Sequence, residues 1–320
     1  MQLVRSIAAM AIALLSSMAA AQDYPARTIK IVVSFTAGGT TDVIARKIAE
    51  RLTAHWKQAV VIENKPGAGG TLGTDYVVSQ PADGYTLLMS SSGPIAISPS
   101  LSKKLVTDPF TAIVPVILVA DVANVLVSPP ELNIRSVDEL VKRGKANPGQ
   151  INYGSTGVGT VAHLAGAQFS YIVGIDTVHV PYKGAGAVTD LMAGRLQFMF
   201  ATLPSVVGQI KGGKLHPIGQ VAAGRAKALP DVPTMKELGY AGMENGSWFG
   251  LFAPKGTPQP IVDKLNAQVN EILREKETQE HFERNGAEPA GGSPQDFGRF
   301  IRREYETWRP VVQRTGATAD

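Results

Sequence analysis

The run Thr28-Ile-Lys-Ile-Val-Val-Ser34 is β-branched and apolar, Phe35-Thr-Ala-Gly-Gly-Thr-Thr41 breaks it, and from Asp42 to Leu52 the apolar positions recur at helical spacing. This pattern predicts a strand, a glycine loop and a helix. Two more strands, over 60–62 and 85–89, are separated by a glycine-rich loop and a helical stretch closing at Val78. The second of them runs into Ser90-Ser-Ser-Gly93. Buried strands over 114–119 and 124–128 then lead toward a second lobe, and the pattern begins again. An amphipathic helix over 137–146 is stopped by Asn147-Pro-Gly149. A strand over 151–153 enters Gly154-Ser-Thr-Gly-Val-Gly-Thr160, and a helix follows from His163 to Phe169.

Further on, strands are expected over 178–182, 196–200 and 218–221, with a helix over 187–193. Ser247-Trp-Phe-Gly-Leu-Phe-Ala253 is a strand returning the chain to the first lobe, and two helices, over 260–277 and 294–312, complete it. Strands alternating with helices make a parallel α/β sheet the natural architecture. The C-terminal return makes the first lobe discontinuous: 22–122 with 247–320 in one lobe, 123–246 in the other.

Ahead of this pattern stand one basic residue, Arg5, an apolar run from Ile7 to Leu15, and small residues ending Ala19-Ala-Ala21. That is the form of a secretory signal peptide over 1–21, cleaved to leave Gln22, and its run is far short of the ~20 residues of a membrane span. There is no cysteine, which removes a lipid-anchored N-terminal Cys, a disulfide framework and thiolate metal ligation. A periplasmic, freely soluble, monomeric protein is expected. The net charge of +4 is scattered among acids and says little about a partner. Basic residues do not cluster with aromatics, so nucleic acid is not expected.

Candidate chemistry concentrates in the two glycine loops. A helix N-terminus exposes unpaired N–H groups and a partial positive charge, which suits an anion. Glycine lets backbone approach a ligand, and Ser and Thr add donors without charge. If both loops face one cleft, each can hold one end of a dicarboxylate; as ordinary βα turns they would carry the same residues as helix caps. Asp42 falls in the first helical turn, where an acid complements the dipole and braces the loop more readily than it performs catalysis.

Two enzymatic readings carry less weight. Gly157-x-Gly159-x-x-Ala162 with Asp176 matches a degenerate dinucleotide fingerprint. Ser155, His163, His179 and Asp176 lie close in sequence as a hydrolase triad would require, but Gly-x-Ser-x-Gly is absent. The remaining histidines show no metal-ligand spacing, and no cofactor, metal or catalytic residue is expected.

Several ordered motifs resemble one family: Tyr24-Pro, Ala37-Gly-Gly39 with Asp42, Glu63-Asn-Lys-Pro-Gly-Ala-Gly-Gly70, Asp83-Gly-Tyr-Thr-Leu-Leu88, His179-Val-Pro-Tyr-Lys-Gly184, Leu229-Pro-Asp-Val-Pro-Thr234 and Ala253-Pro-Lys-Gly-Thr257. Across the mature chain these resemble the Bug receptors, the substrate-binding components of tripartite tricarboxylate transporters. The resemblance implies a two-lobed α/β periplasmic binding protein of type II, with hinge strands and a ligand cleft between the lobes. It implies a small organic carboxylate as ligand, gripped by Ala37, Gly38, Gly39, Thr40, Ser155, Thr156, Gly159 and Thr160. Phe35 would line the pocket, with Asp42, Ser91 and Ala201 completing the site. Its partners would be membrane transporter subunits or, for a sensor with the same cleft, a two-component kinase. Where members often have Pro-Phe-Pro-Ala-Gly-Gly-Gly, this chain has Ser34-Phe-Thr-Ala-Gly-Gly-Thr40. Where many have Phe-Asp-Asn, it has Phe200-Ala-Thr202. Loss of that acid speaks against an amine-bearing ligand and for a dicarboxylate or aromatic acid.

Overall fold

The computed structural model describes residues 24–102, 105–184, 186–244 and 246–319; the signal-peptide reading of 1–21 lies outside them. Eleven described strands form two sheets. The first has the order β11-β4-β10-β3-β1-β2, with β1 Ile29–Val33, β2 Val60–Asn64, β3 Thr86–Ser91, β4 Ile113–Val122, β10 Ser247–Pro254 and β11 Ala287–Pro289. The second has the order β7-β6-β8-β5-β9, with β5 Asn124–Ser128, β6 Ile151–Ser155, β7 Thr177–Pro181, β8 Phe198–Thr202 and β9 His216–Val221. The described helices used below are α1 Thr40–Trp56, α2 Thr71–Val78, α3 Val137–Ala146, α4 Val161–Val173, α5 Gly186–Met192, α6 Leu203–Lys211, α7 Gln259–Arg274, α8 Lys276–Arg284 and α9 Pro294–Thr315.

Both sheets are mixed rather than purely parallel. β1 runs parallel to β2 and β3, but β10 is antiparallel to β3 and β4. The cause is the crossing itself. β4 leaves the first lobe and β10 re-enters it beside β4, so the two neighbours must run in opposite directions. Only Ala123 separates β4 from β5, which makes this pair of strands the hinge. A Cβ on Gly246, just before β10, would press on the carbonyl oxygens of Val122 and Val221, so the hinge backbones touch directly.

Each sheet has its own core. Ile29, Ile31 and Val33 of β1 pack with Ile44, Ile48 and Leu52 of α1 and with Leu265 and Val269 of α7. In the second lobe Tyr153, Phe169, Phe198 and Phe200 pack around β6 and β8. Near the end of α9, Trp308, Val311 and Val312 pack against Val161 and Leu164 of α4. The C-terminal helix therefore reaches across onto the helix that opens from the second glycine loop.

The helix expected over 260–277 divides at Glu275, whose backbone is extended. Its carboxylate accepts from Arg51 Nε at 2.6 Å and lies 2.5 Å from His55 Nε2, both on α1, so a tertiary ion cluster decides where the helix breaks. Helix α6 and strand β11 have no counterpart in the sequence pattern. α6 buries only Leu203, Val206 and Val207 and contains a Pro and a Gly, a signal too short for periodicity to resolve.

Gly250 lies midway along β10, and a methyl there would overlap the ring of buried Phe297. Gly250→Ala is expected to destabilise the protein by about 1–3 kcal/mol. Urea unfolding checks this, with a lower midpoint at an unchanged m-value.

Candidate functional site

The loop after β1 turns at Gly38, whose φ of +77° suits glycine. The Gly38 N–H donates to Asp42 Oδ2 at 2.9 Å, and the Gly39 N–H to the Thr36 carbonyl at 3.3 Å. Gly39 is the N-cap of α1 and has no side chain to cap with. The N–H groups of Thr40, Thr41 and Asp42 therefore have no acceptor within the described chain. Asp42 is buried and fully engaged, accepting also from Arg46 Nε at 2.7 Å, Arg46 Nη2 at 3.0 Å and Asn64 Nδ2 at 2.9 Å. Burial pushes its carboxyl up, but these bonds from Arg46, Gly38 and Asn64 outweigh burial and hold it below the usual carboxylate range. It braces the loop from behind.

The second loop uses a different device. Thr160 caps α4, accepting from the His163 N–H at 3.4 Å and donating to the Gly157 carbonyl at 2.8 Å. The N–H groups of Val161 and Ala162 remain unpaired. Beneath the loop, Ser155 Oγ lies 2.7 Å from His179 Nε2 and accepts from the Gly157 N–H at 3.1 Å. His163 Nδ1 accepts from the Gly159 N–H at 3.3 Å, and its ring stacks on His179 with centroids 4.0 Å apart. Burial lowers His163 to about 4, and burial with the adjacent His163 lowers His179 to about 3. Both rings are neutral at pH 7.

These loops face one another across one cavity of about 60 Å³. Of the residues singled out from sequence, Phe35, Gly39, Thr40, Ser91, Thr156 and Thr160 line it. Ala37 and Gly38 stand at the exposed loop tip, whereas Asp42, Ser155, Gly159 and Ala201 are buried behind the lining. The sequence did not point to Asn124 at the start of β5, Ser247 at the start of β10 or Ser205 in α6, and it marked Thr202 only as a departure within Phe200-Ala-Thr202; all four line the cavity. For Asn124 and Ser247 a polar residue opening an otherwise apolar strand was the only available signal. Val161, Val188, Met199 and Phe249 supply an apolar wall. No ionisable residue lines the cavity among the described residues.

The lobes meet at the mouth. A methyl on Gly69 would overlap the Val158 carbonyl, and one on Gly184 the Thr36 hydroxyl. Thr40 Oγ1 and Thr202 Oγ1 lie 2.8 Å apart, joining the lobes by a hydrogen bond.

Neither enzymatic pattern assembles. Asp176 precedes β7, at the edge of the sheet opposite the 156–160 loop, whereas a ribose-binding acid belongs at the loop end of its strand. Ser155 does reach His179, but it is fully buried, and His179 has no carboxylate partner among the described residues.

The profile of the tripartite tricarboxylate transporter family receptor matches residues 44–317. The protein BugT of Bordetella pertussis (strain Tohama I) is 40% identical over 299 residues, covering 93% of this chain and 92% of that protein. A solved structure of Rpa4515 from R. palustris with adipate superposes with a TM-score of 0.89 at 36% identity, covering 92% of this chain and 99% of the other. MatC from Rhodopseudomonas palustris with bound malate gives 0.86 at 31% identity, covering 90% and 100%.

Asp42→Ala leaves Gly38 and Asn64 donors without an acceptor and should cost about 1–3 kcal/mol, read from urea unfolding, with Asp42→Asn costing less. The buried histidines set a pH limb of known sign. The unfolded chain takes up protons at about 6.5, while the fold holds both rings neutral. Stability should thus fall as pH drops from about 6.5 toward 4, by about 1.4 kcal/mol per pH unit for each histidine. Unfolding curves between pH 7 and 5 check this, and the paired change His163→Gln with His179→Gln should flatten the limb.

Proposed function

The chain belongs to the tripartite tricarboxylate transporter receptor family, and from that premise we propose that it is a periplasmic receptor that captures a small organic carboxylate and presents it to membrane transporter subunits. The family is one of solute-binding receptors and not of enzymes. One observation carries the carboxylate: two helices, one from each lobe, direct unpaired first-turn amides at the same uncharged cavity. Taking a carboxylate out of water is costly unless fixed donors replace its hydration. Four such amides, those of Thr40, Thr41, Val161 and Ala162, with the positive ends of two helix dipoles, replace it without any lysine or arginine. Adipate and malate in the two similar structures are acids of the same class.

The ligand-contacting residues in this reading are Phe35, Gly39, Thr40, Ser91, Thr156 and Thr160. Asp42, Ser155 and Gly159 hold the loops in place around them. An amine-bearing acid is disfavoured because the lining offers no counter-charge to an ammonium. Export rests on the signal-peptide pattern over 1–21, and no described helix is long and apolar enough to cross a membrane.

Thermal unfolding against mono-, di- and tricarboxylates, amino acids and nucleotides tests the reading. A carboxylate at one hundred times its Kd should stabilise the protein by about 2.7 kcal/mol, with aspartate and nucleotides giving no shift. Stabilisation by a nucleotide alone would overturn it.

A further inference from the structure

On the hinge side of the cavity the hydroxyl protons are already committed. Ser205 Oγ lies 2.7 Å from the Thr202 carbonyl, which can only accept, so Ser205 gives its proton there. Ser205 must then accept from Thr202 Oγ1 at 3.1 Å. With the Thr202 proton so directed, the 2.8 Å contact between Thr40 Oγ1 and Thr202 Oγ1 has Thr40 as its donor. Ser247 Oγ donates to Asn124 Oδ1 at 2.7 Å, and Asn124 is oriented by its own donation to the Phe200 carbonyl at 3.2 Å. Asn124 and Thr202 are paired across β5 and β8, so these five residues form one continuous wall drawn from both lobes and the hinge.

Four hydroxyl oxygens on this wall therefore present lone pairs to the cavity, relieved only by the second N–H of Asn124. A carboxylate oxygen placed there faces other lone pairs. A ligand hydroxyl fits, donating to Thr40 or Ser247 and accepting from Asn124. The opposite inventory lies on the loop side, where Thr41, Ser91, Ser92 and Thr156 keep hydroxyl protons uncommitted among the described residues, next to the unpaired helix amides.

From this division, and resting on the carboxylate reading above, we infer that the receptor selects hydroxy acids: the carboxylate takes the loop-side donors and the ligand's hydroxyl donates into the hinge-side wall. The chain Thr40 to Thr202 to Ser205 is the device that fixes this polarity. Thr202 stands where the resemblance leads one to expect Asn, whose amide would bring two donors to the same place.

Isothermal titration of the full mature protein with matched acids tests the inference, using malate against succinate, 2-hydroxyadipate against adipate, and mandelate against phenylacetate, with aspartate as the amine counterpart of malate. Within the pair that fits the cavity, the hydroxy acid should bind at least tenfold more tightly. Thr202→Val frees the Thr40 proton and should shrink that ratio below threefold, whereas Thr202→Ser, with an unchanged melting temperature, should keep it. Equal binding of the two members of a pair, aspartate outcompeting malate, or an unaltered ratio in Thr202→Val overturns the inference alone. Failure of every acid to bind overturns the carboxylate reading and this inference with it.

Discussion

Amide groups in the first turn of a helix have no partner within the helix, and when they face a closed cavity something must accept from them. In α1 the N-cap is Gly39, which has no side chain to offer; in α4 the Thr160 cap satisfies only His163. Four of the unpaired N–H groups, those of Thr40, Thr41, Val161 and Ala162, belong to residues that line one space between two lobes. The loops, the buried groups that brace them and the hinge bring these amides to one space.

The bracing is done by groups that never touch the cavity. Asp42 draws in Gly38, Asn64 and Arg46, so the first loop keeps its turn while its helix amides stay open. The second loop rests on neutral imidazoles, one accepting from Gly159 and the other against Ser155. A charged His163 would break the first arrangement, because a protonated Nδ1 cannot accept from Gly159. Burial keeps the rings neutral, so the apolar packing of the second lobe and the shape of its ligand loop are one system.

The cavity has two chemically different sides although every polar side chain in its lining is an uncharged hydroxyl or amide. The difference lies in where protons point. On the hinge side each hydroxyl proton is used within the protein, whereas on the loop side those of Thr41, Ser91, Ser92 and Thr156 have no acceptor among the described residues. A residue inventory alone would assign Thr40 and Thr41 the same role, yet they offer opposite ends of a hydrogen bond.

Much of this was legible in the sequence. The strand, glycine loop and helix units showed in the spacing of apolar residues, because burial of one face imposes a period, and the small residues before each helix marked the loops that meet at the cavity. The strand over 247–253, which is buried throughout, was legible as a continuous apolar run. The direction of the hinge strands was not, nor the break at Glu275, since each depends on a neighbour supplied from far along the chain. The hinge-side wall lay deepest. Asn124, Thr202 and Ser247 are ordinary polar residues at the ends of apolar runs, and only folding places them together and decides which atom of each keeps a proton. Local chain chemistry determined most of the elements and the small-residue loops that open two helices onto the cavity. Tertiary structure decided the polarity of the site, because a hydrogen bond's direction belongs to a network and not to any residue in it.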